Sequence, residues 1–579
     1  MTETISTARP TRQFLGEDFE LTTWESVKPF YENLISRNIA SADDLRKLFA
    51  DRSELESYLS ENFAWRYIKM TCDTTDKNVK AHFDQFVTEI QPELASYDDL
   101  LNKKTLDSPY LKELSESGTE AEAFYVTLRG MQKSTEIFRS ENIPLFTEIQ
   151  NLSSEYQGTV GVMTVEIDGV TKTLQQAGVY LENANREVRE MAYRKVQERR
   201  FQDHDKLDEL FNKLRDLRHQ VAINAGFDNY RDYSFAALKR FDYTPNDCFQ
   251  FHQAVAETIV PILNQLASER KNALQLTDLR PWDKGVDIQG RPALHPFNGG
   301  EDLLNKTIEC FNLLDPFLGE CLTLMKQMGR LDLESRVGKA PGGYNYPLEE
   351  TGFPFIFMNA SSLMRDVITI LHEGGHAVHS IVTKDLSLNT FRSFPSEVAE
   401  LASMSMELIT MDYWHVYFNN EEDLRRAKIQ HLEDILSTLP WVATVDKFQH
   451  WIYENPTHTV AERTEAWINI YEQFTDSVTS WGGIEAYKAT LWQRQLHIFE
   501  LPFYYIEYGI AQLGAIGVWK NYKENPQKGL QGYLNALKLG YTKPMGAIYE
   551  AANIPFDFSK EHIASLMNFL QNELKALKA

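Results

Sequence analysis

From Asn183 to Gly226 the chain reads NANREVREMAYRKVQERRFQDHDKLDELFNKLRDLRHQVAINAG. Val188, Met191, Ala192 and Val196 recur at helical spacing, and Leu207, Leu210, Leu214, Leu217 and Val221 continue a similar stripe. A pattern with this period cannot present one buried face as a strand. Asn183 or Asn185 suits the cap at its start and Gly226 its end. The stretch predicts one long helix tying two lobes together. Helical periodicity of this kind dominates the chain, so the expected fold class is mainly α. Strand signals are few. VMTVEIDGVTKTL (162–174) alternates around Asp168-Gly169, the signature of a type I′ hairpin. In YNYPLEETGFPFIFMN (344–359), Phe355 and Phe357 alternate with Ile356 and Met358. The 579 residues exceed one minimal core. No repeat, low-complexity tract or Gly/Ser linker marks a boundary. The division is expected near residue 200, with a helical N-terminal region (1–200) carrying the hairpin and a catalytic region (201–579) carrying the chemistry.

Charge and cysteine usage narrow the class of function. A net charge of −24 argues against a nucleic-acid partner, which needs a basic face. No apolar run approaches the roughly 20 residues that span a bilayer, so no membrane partner is expected. The opening MTETISTARPTRQFLGEDFE has no apolar core of the kind a secretion signal needs. Cys72, Cys248, Cys310 and Cys321 are scattered, with no CxxC spacing. Together these features lead to the expectation of a cytoplasmic protein with reduced thiols.

The chemistry concentrates in LHEGGHAVHS (371–380). On a helix, His372 and His376 stand one above the other and can both reach one Zn²⁺ at about 2.0–2.1 Å. Glu373 lies beside that face and can take the proton of a water that the metal has acidified. Gly374 and Gly375 are costly on a helix, at about 1 kcal/mol each against alanine. A catalytic zinc commonly has three protein ligands. His379 shares the helix face, but one straight helix rarely turns a third His back to the same ion, so it is read as packing or support. The next helical stretch, FPSEVAELASMSMELI, offers Glu397, Glu400 and Glu407 close to one side among apolar neighbours. Buried carboxylates need a cation or strong hydrogen bonds, and periodicity leaves all three acids open as the third ligand.

At this point the residues resemble a known family. His372-Glu373-x-Gly375-His376-x-x-His379, followed by Glu400, Ser403 and Glu407 in the pattern E-x-x-S-x-x-x-E, is similar to the zinc oligopeptidases of the thimet oligopeptidase and oligoendopeptidase F type. The closer likeness is to the bacterial oligoendopeptidase F branch. KRFDYTP (239–245), FIFMN (355–359), FQHWIYENP (448–456) and PFYYIEYGIAQLGAI (502–516) extend it over at least residues 200–560. The resemblance implies two helical lobes enclosing a deep substrate channel, with a small β-sheet beside the zinc-site helix. It implies one Zn²⁺ per chain held by His372, His376 and Glu400, with Glu407 orienting a ligating His. Short unstructured peptides are the implied substrates, since a folded protein cannot enter the channel. Phe357, Met358 and Asn359 on the FIFMN strand are expected at the channel edge, pairing with the substrate backbone. A cluster of His497, Tyr504, Tyr505 and Tyr508 is expected to serve the reacting carbonyl. His497 donates to the carbonyl or leaving group, and Tyr508 with Tyr504 or Tyr505 supplies phenolic O–H groups to the oxyanion. The leading reading is a zinc-dependent oligoendopeptidase. A peptidyl-dipeptidase of the same family and a catalytically silent helical peptide-binding protein are the alternatives.

Overall fold

In the computed structural model, which describes residues 5–336, 338–340 and 342–579, helices carry most of the chain and the strands are short. The chain forms two compact units, each assembled from three separate segments. Unit 1 comprises Met1–Phe138, His295–Arg426 and Ala511–Phe556, and unit 2 comprises Arg139–Leu294, Ala427–Ile510 and Asp557–Ala579.

The long periodic stretch at 183–226 is not one helix, and it does not join the units. It forms Arg186–Phe201 and His204–Asn224, both inside unit 2. The turn between them is closed by its own side chains. Arg199 pairs with Asp203 at 2.5 Å, while the His204 ring stacks on Phe201 and its Nδ1 meets the Phe201 carbonyl at 2.6 Å. The apolar positions keep their helical period on both sides, so the break is invisible to periodicity. Asn185 caps the first helix by accepting from the Glu187 N–H, and Gly226 follows the second at positive φ.

The hairpin forms as its sequence predicts. β1 (Thr164–Ile167) pairs antiparallel with β2 (Val170–Thr173), and Asp168 and Gly169 both take positive φ.

In unit 1, β3 (Leu331–Glu334), β4 (Tyr344–Tyr346) and β5 (Phe355–Ala360) form a sheet in the order β3-β5-β4. β5 lies parallel to β3 and antiparallel to β4. β5, which carries the FIFMN residues expected to pair with substrate, is the central strand of this sheet. Phe357 is matched to Asp332 on one side and Tyr344 on the other, while Met358, Asn359 and Ala360 lie beyond the end of the β4 register. Phe357 and Met358 are buried, with the Phe357 ring stacked on Tyr344. Asn359 spends its amide on the carbonyls of Ala340 and Gly342, at 2.8 and 2.9 Å. Among the described residues the edge strands are β3 and β4.

N-terminal helices buttress this sheet. Ala64 and Ile68 of helix Ala42–Cys72 pack with Leu348, Phe355 and Phe357. Glu61 of the same helix accepts from the backbone N–H groups of Glu350 and Thr351 at 3.0 and 2.8 Å. Residues remote in sequence thereby fix the loop between β4 and β5.

Candidate metal centre

The motif helix spans Met364–Thr383, and the acidic helix that packs on it spans Ser396–Ile409. Their approach is closest at Gly375. A Cβ there would stand 2.7 Å from both the Ala402 carbonyl oxygen and Ser403 Cα. Both are backbone atoms, so only glycine allows this crossing. Gly374 faces a different neighbour, since its Cβ would stand 2.7 Å from the ring tip of Phe311 on helix Gly300–Leu314. The two glycines therefore make room on two sides of one helix. The helical cost they carry is offset by burial of Val367, Ile370, Leu371, Ala377, Val378 and Ile381 around them.

The crossing brings Glu400 against the two histidines. His372 Nε2 lies 3.2 Å and His376 Nε2 3.8 Å from Glu400 Oε2. Ligand atoms from all three residues lie within 4.8 Å of one another. Two donors that each sit about 2.1 Å from a tetrahedral zinc are about 3.4 Å apart, so this set fits one ion. Support lies one layer out. His372 Nδ1 meets Glu407 Oε1 at 2.7 Å, which aims Nε2 at the centre, and Ser403 Oγ donates to Glu400 Oε2 at 3.1 Å. Glu397 is buried on the same helix but is not among the converging donors. His379 is buried too, with its ring stacked on Phe394 at 3.6 Å.

Electrostatics suit a cation. Burial pushes His376 down to about 4, keeping it in the neutral form that ligates. Burial also opposes charge on His372, but its hydrogen bonds to the carboxylates of Glu400 and Glu407 outweigh this and hold the imidazole well above its usual value. The carboxylates thus call for positive charge at the point where His372 Nε2 and His376 Nε2 meet, and a divalent ion meets that need. Glu373 is buried beside the cluster, and desolvation raises its carboxyl to about 7. Its backbone is held by Asn345 of β4, whose amide donates to the Glu373 carbonyl at 3.2 Å.

The four aromatic residues expected to serve the carbonyl all lie in unit 2, on a short helix, the turn after it (Tyr504) and the start of a long helix. His497 belongs to Leu496–Glu500, and Tyr505–Glu524 carries Tyr505 and Tyr508. The His497 ring lies 5.5, 5.0 and 5.9 Å from those of Tyr504, Tyr505 and Tyr508. Gln495 organises the group, with its amide at 2.9 Å from His497 Nδ1 and its carbonyl accepting from Tyr505 Oη at 3.0 Å. Tyr505 is therefore tethered, and burial raises its phenol. The turn before it is strained. Phe503 has a positive φ of 66°, Gln449 accepts from its N–H at 3.1 Å, and Arg240 donates to its carbonyl and to Glu507. Sequence reasoning gave no role to Gln495, Gln449, Arg240 or Asn345. Arg240, Gln449 and Asn345 left a trace, as members of KRFDYTP, FQHWIYENP and YNYPLEETGFPFIFMN.

Comparison with known proteins adds an independent line. The model of peptidase family M3 matches residues 179–290 and 311–567, and that of the peptidase M3 N-terminal domain matches 14–124. An oligoendopeptidase F homolog of Borreliella burgdorferi is 22% identical over 69% of this chain and 67% of its own length. The oligopeptidase PepF of Bacillus subtilis is 22% identical over 79% of this chain and 65% of its own. The chain thus spans about two thirds of the length of these curated relatives. Among solved structures, Pz peptidase A with an inhibitor superposes with a TM-score of 0.89 at 26% identity, covering 97% of this chain and 99% of that one. The oligoendopeptidase F of Enterococcus faecium, 14% identical, shares the fold with a TM-score of 0.62 over 96% of each chain.

Proposed function

The chain belongs to peptidase family M3, and from that premise we propose that it is a zinc-dependent oligoendopeptidase acting on short unstructured peptides. The observation that carries this reading is the meeting of His372, His376 and Glu400 beside the buried Glu373. His372, His376 and Glu400 would hold one zinc, which when bound would supply Lewis-acid chemistry to a water and a peptide carbonyl. Glu373 accepts the proton of the attacking water and returns it to the leaving amine. Glu373 is buried beside the cluster, a carboxylate placed to act as base on the attacking water. Glu407 keeps the His372 ring in the ligating orientation. His497 and Tyr508, with Tyr504 or the tethered Tyr505, donate hydrogen bonds to the oxygen that gains charge. Because β5 is paired with β4 along Phe355–Phe357, we assign the pairing of the peptide backbone to the edge strand β4, which abuts the motif helix through Asn345. A reducing, cytoplasmic setting accords with the free thiols of Cys72, Cys310 and Cys321, and no helix among the described residues is long and apolar enough to cross a membrane.

The test offers quenched fluorescent peptides of increasing length, and a folded protein, to the wild type and to Glu373→Gln. Internal cleavage of peptides of about 5–20 residues is expected, with the folded protein intact. The variant should lose about 10³-fold or more in kcat/KM and retain its metal, because only the base is removed. Wild-type activity in Glu373→Gln would sink the mechanism. Release of C-terminal dipeptides alone, seen by mass spectrometry, would replace endopeptidase with peptidyl-dipeptidase action.

A further inference from the structure

A second set of converging donors lies wholly inside unit 2. Cys248 and His252 stand one turn apart on helix Pro245–Thr258, and Asp446 and His450 stand one turn apart on helix Glu421–Glu454. Ligand atoms of Cys248, Asp446 and His450 lie within 4.8 Å of one another, and the only other such group among the described residues is His372, His376 and Glu400. Cys248, His252, Asp446 and His450 are all buried, at 2% exposure or less.

Two further observations point to a ligand. His450 Nε2 lies 3.3 Å from Asp446 Oδ2, but without the alignment of a hydrogen bond. The corresponding distance at the first site, His372 Nε2 to Glu400 Oε2, is 3.2 Å. Both are close to the separation of two donors on one tetrahedral ion. Asp446 Oδ1, His450 Nδ1 and His252 Nδ1 have no protein hydrogen-bond partner although their residues are buried. Buried polar atoms left this way cost about 1–3 kcal/mol each, and a cation satisfies the carboxylate oxygen directly. The cluster also repeats the outer support of the first site, since His252 Nε2 meets Asp446 Oδ2 at 2.8 Å. Rings of Phe235, Phe249 and Phe503 surround His450 and keep the position dry.

We propose that Cys248, Asp446 and His450 form a second, structural zinc site, with His252 orienting Asp446. A thiolate, an imidazole and a carboxylate together select Zn²⁺ over the oxygen-seeking Mg²⁺ and Ca²⁺. On binding, the Cys248 thiol yields its proton to solvent and the sulfur becomes a zinc ligand. The ion clamps helix Pro245–Thr258 to helix Glu421–Glu454 beneath Phe503, the strained residue that starts the tyrosine turn. It does not touch substrate.

Cobalt substitution tests this, because the first site has no thiolate. Full-length protein stripped of metal and reloaded with Co²⁺ should show a near-ultraviolet thiolate-to-cobalt charge-transfer band. The band should persist in the double variant His372→Ala/His376→Ala and vanish in Cys248→Ser. By mass spectrometry of metals, Cys248→Ser and His450→Gln should each carry one zinc fewer than the wild type. Circular dichroism of Cys248→Ser matching the wild type separates loss of the ligand from loss of the fold. A cobalt-loaded wild type with no thiolate band overturns the proposal, and so does a band that survives in Cys248→Ser. The result is independent of peptidase activity, so its failure leaves the first site untouched.

Discussion

The two clusters assigned to catalysis are built in different ways. His372, His376 and Glu400 sit in the middle of two regular helices, and their spacing follows from helix geometry plus one close crossing at Gly375. His497, Tyr504, Tyr505 and Tyr508 flank a turn with Phe503 at positive φ, held by Arg240, Gln449 and Gln495. A metal needs its ligands within a few tenths of an ångström, and helix backbones supply that tolerance cheaply. Hydrogen-bond donors to a developing charge can hang from a turn, provided that other side chains brace it. The first cluster should therefore respond to mutation through metal binding, and the second through turnover.

The largest effect that separates them is on the metal side. Glu400→Gln should weaken zinc binding by more than about 100-fold, because it removes a ligand. Glu397→Gln, on the same helix, should leave affinity unchanged in a competition titration with a chelator. Equal losses from both would mean that the converging geometry misassigns the third ligand. On the other side, Tyr508→Phe and His497→Ala should each lower kcat by about 100-fold while metal content stays at the wild-type value. Loss of zinc in either variant would merge the two clusters into one. Glu407→Gln should fall between, weakening zinc binding by about 10-fold through the freed His372 ring.

Smaller effects probe the scaffold. Gly375→Ala drives a Cβ into backbone and should cost about 1–3 kcal/mol, seen as a lower Tm, with metal affinity falling as the crossing widens. Gly374→Ala meets only the far end of the Phe311 ring and should cost less. A larger loss from Gly374→Ala would show that the Phe311 side is the tighter one. The smallest effect is on pH dependence in metal-free protein. Glu373 has its folded carboxyl raised from an ordinary value near 4.5 to about 7. Below the ordinary value it is protonated in both folded and unfolded chains and costs nothing. Above about 7 it is charged in both, and burying that charge opposes folding. Metal-free Glu373→Gln should therefore melt above metal-free wild type at pH 8, and the gap should close as pH falls towards 4. A gap that grows on acidification would reverse the assigned shift.

Much of the site was legible in the chain. His372 and His376 needed only helical spacing, and Asp168-Gly169 needed only turn chemistry, because both depend on neighbours within a few residues. The mainly α class followed from periodicity over many segments. What failed was non-local or compensated. The break at Gln202–Asp203 leaves the apolar stripe intact, so a stripe cannot reveal it. Alternation over Phe355–Met358 predicts a strand but says nothing about how many partners it has, and β5 lies between β3 and β4.

The sequence by itself determined the ligand types, their order along the chain and the need for a helix under His372 and His376. It left Glu397, Glu400 and Glu407 equivalent, since all three sit near one side of one helix, and it was the resemblance that singled out Glu400. By geometry, only the tertiary structure separates them, bringing Glu400 to His372 Nε2 and His376 Nε2 and Glu407 to His372 Nδ1, because what each carboxylate reaches depends on where two helices cross. That crossing is set by Gly375 against Ala402 and Ser403. The same holds for the glycines themselves, which looked like a penalty on one helix until the backbone of the second and the ring of Phe311 supplied the reason for each.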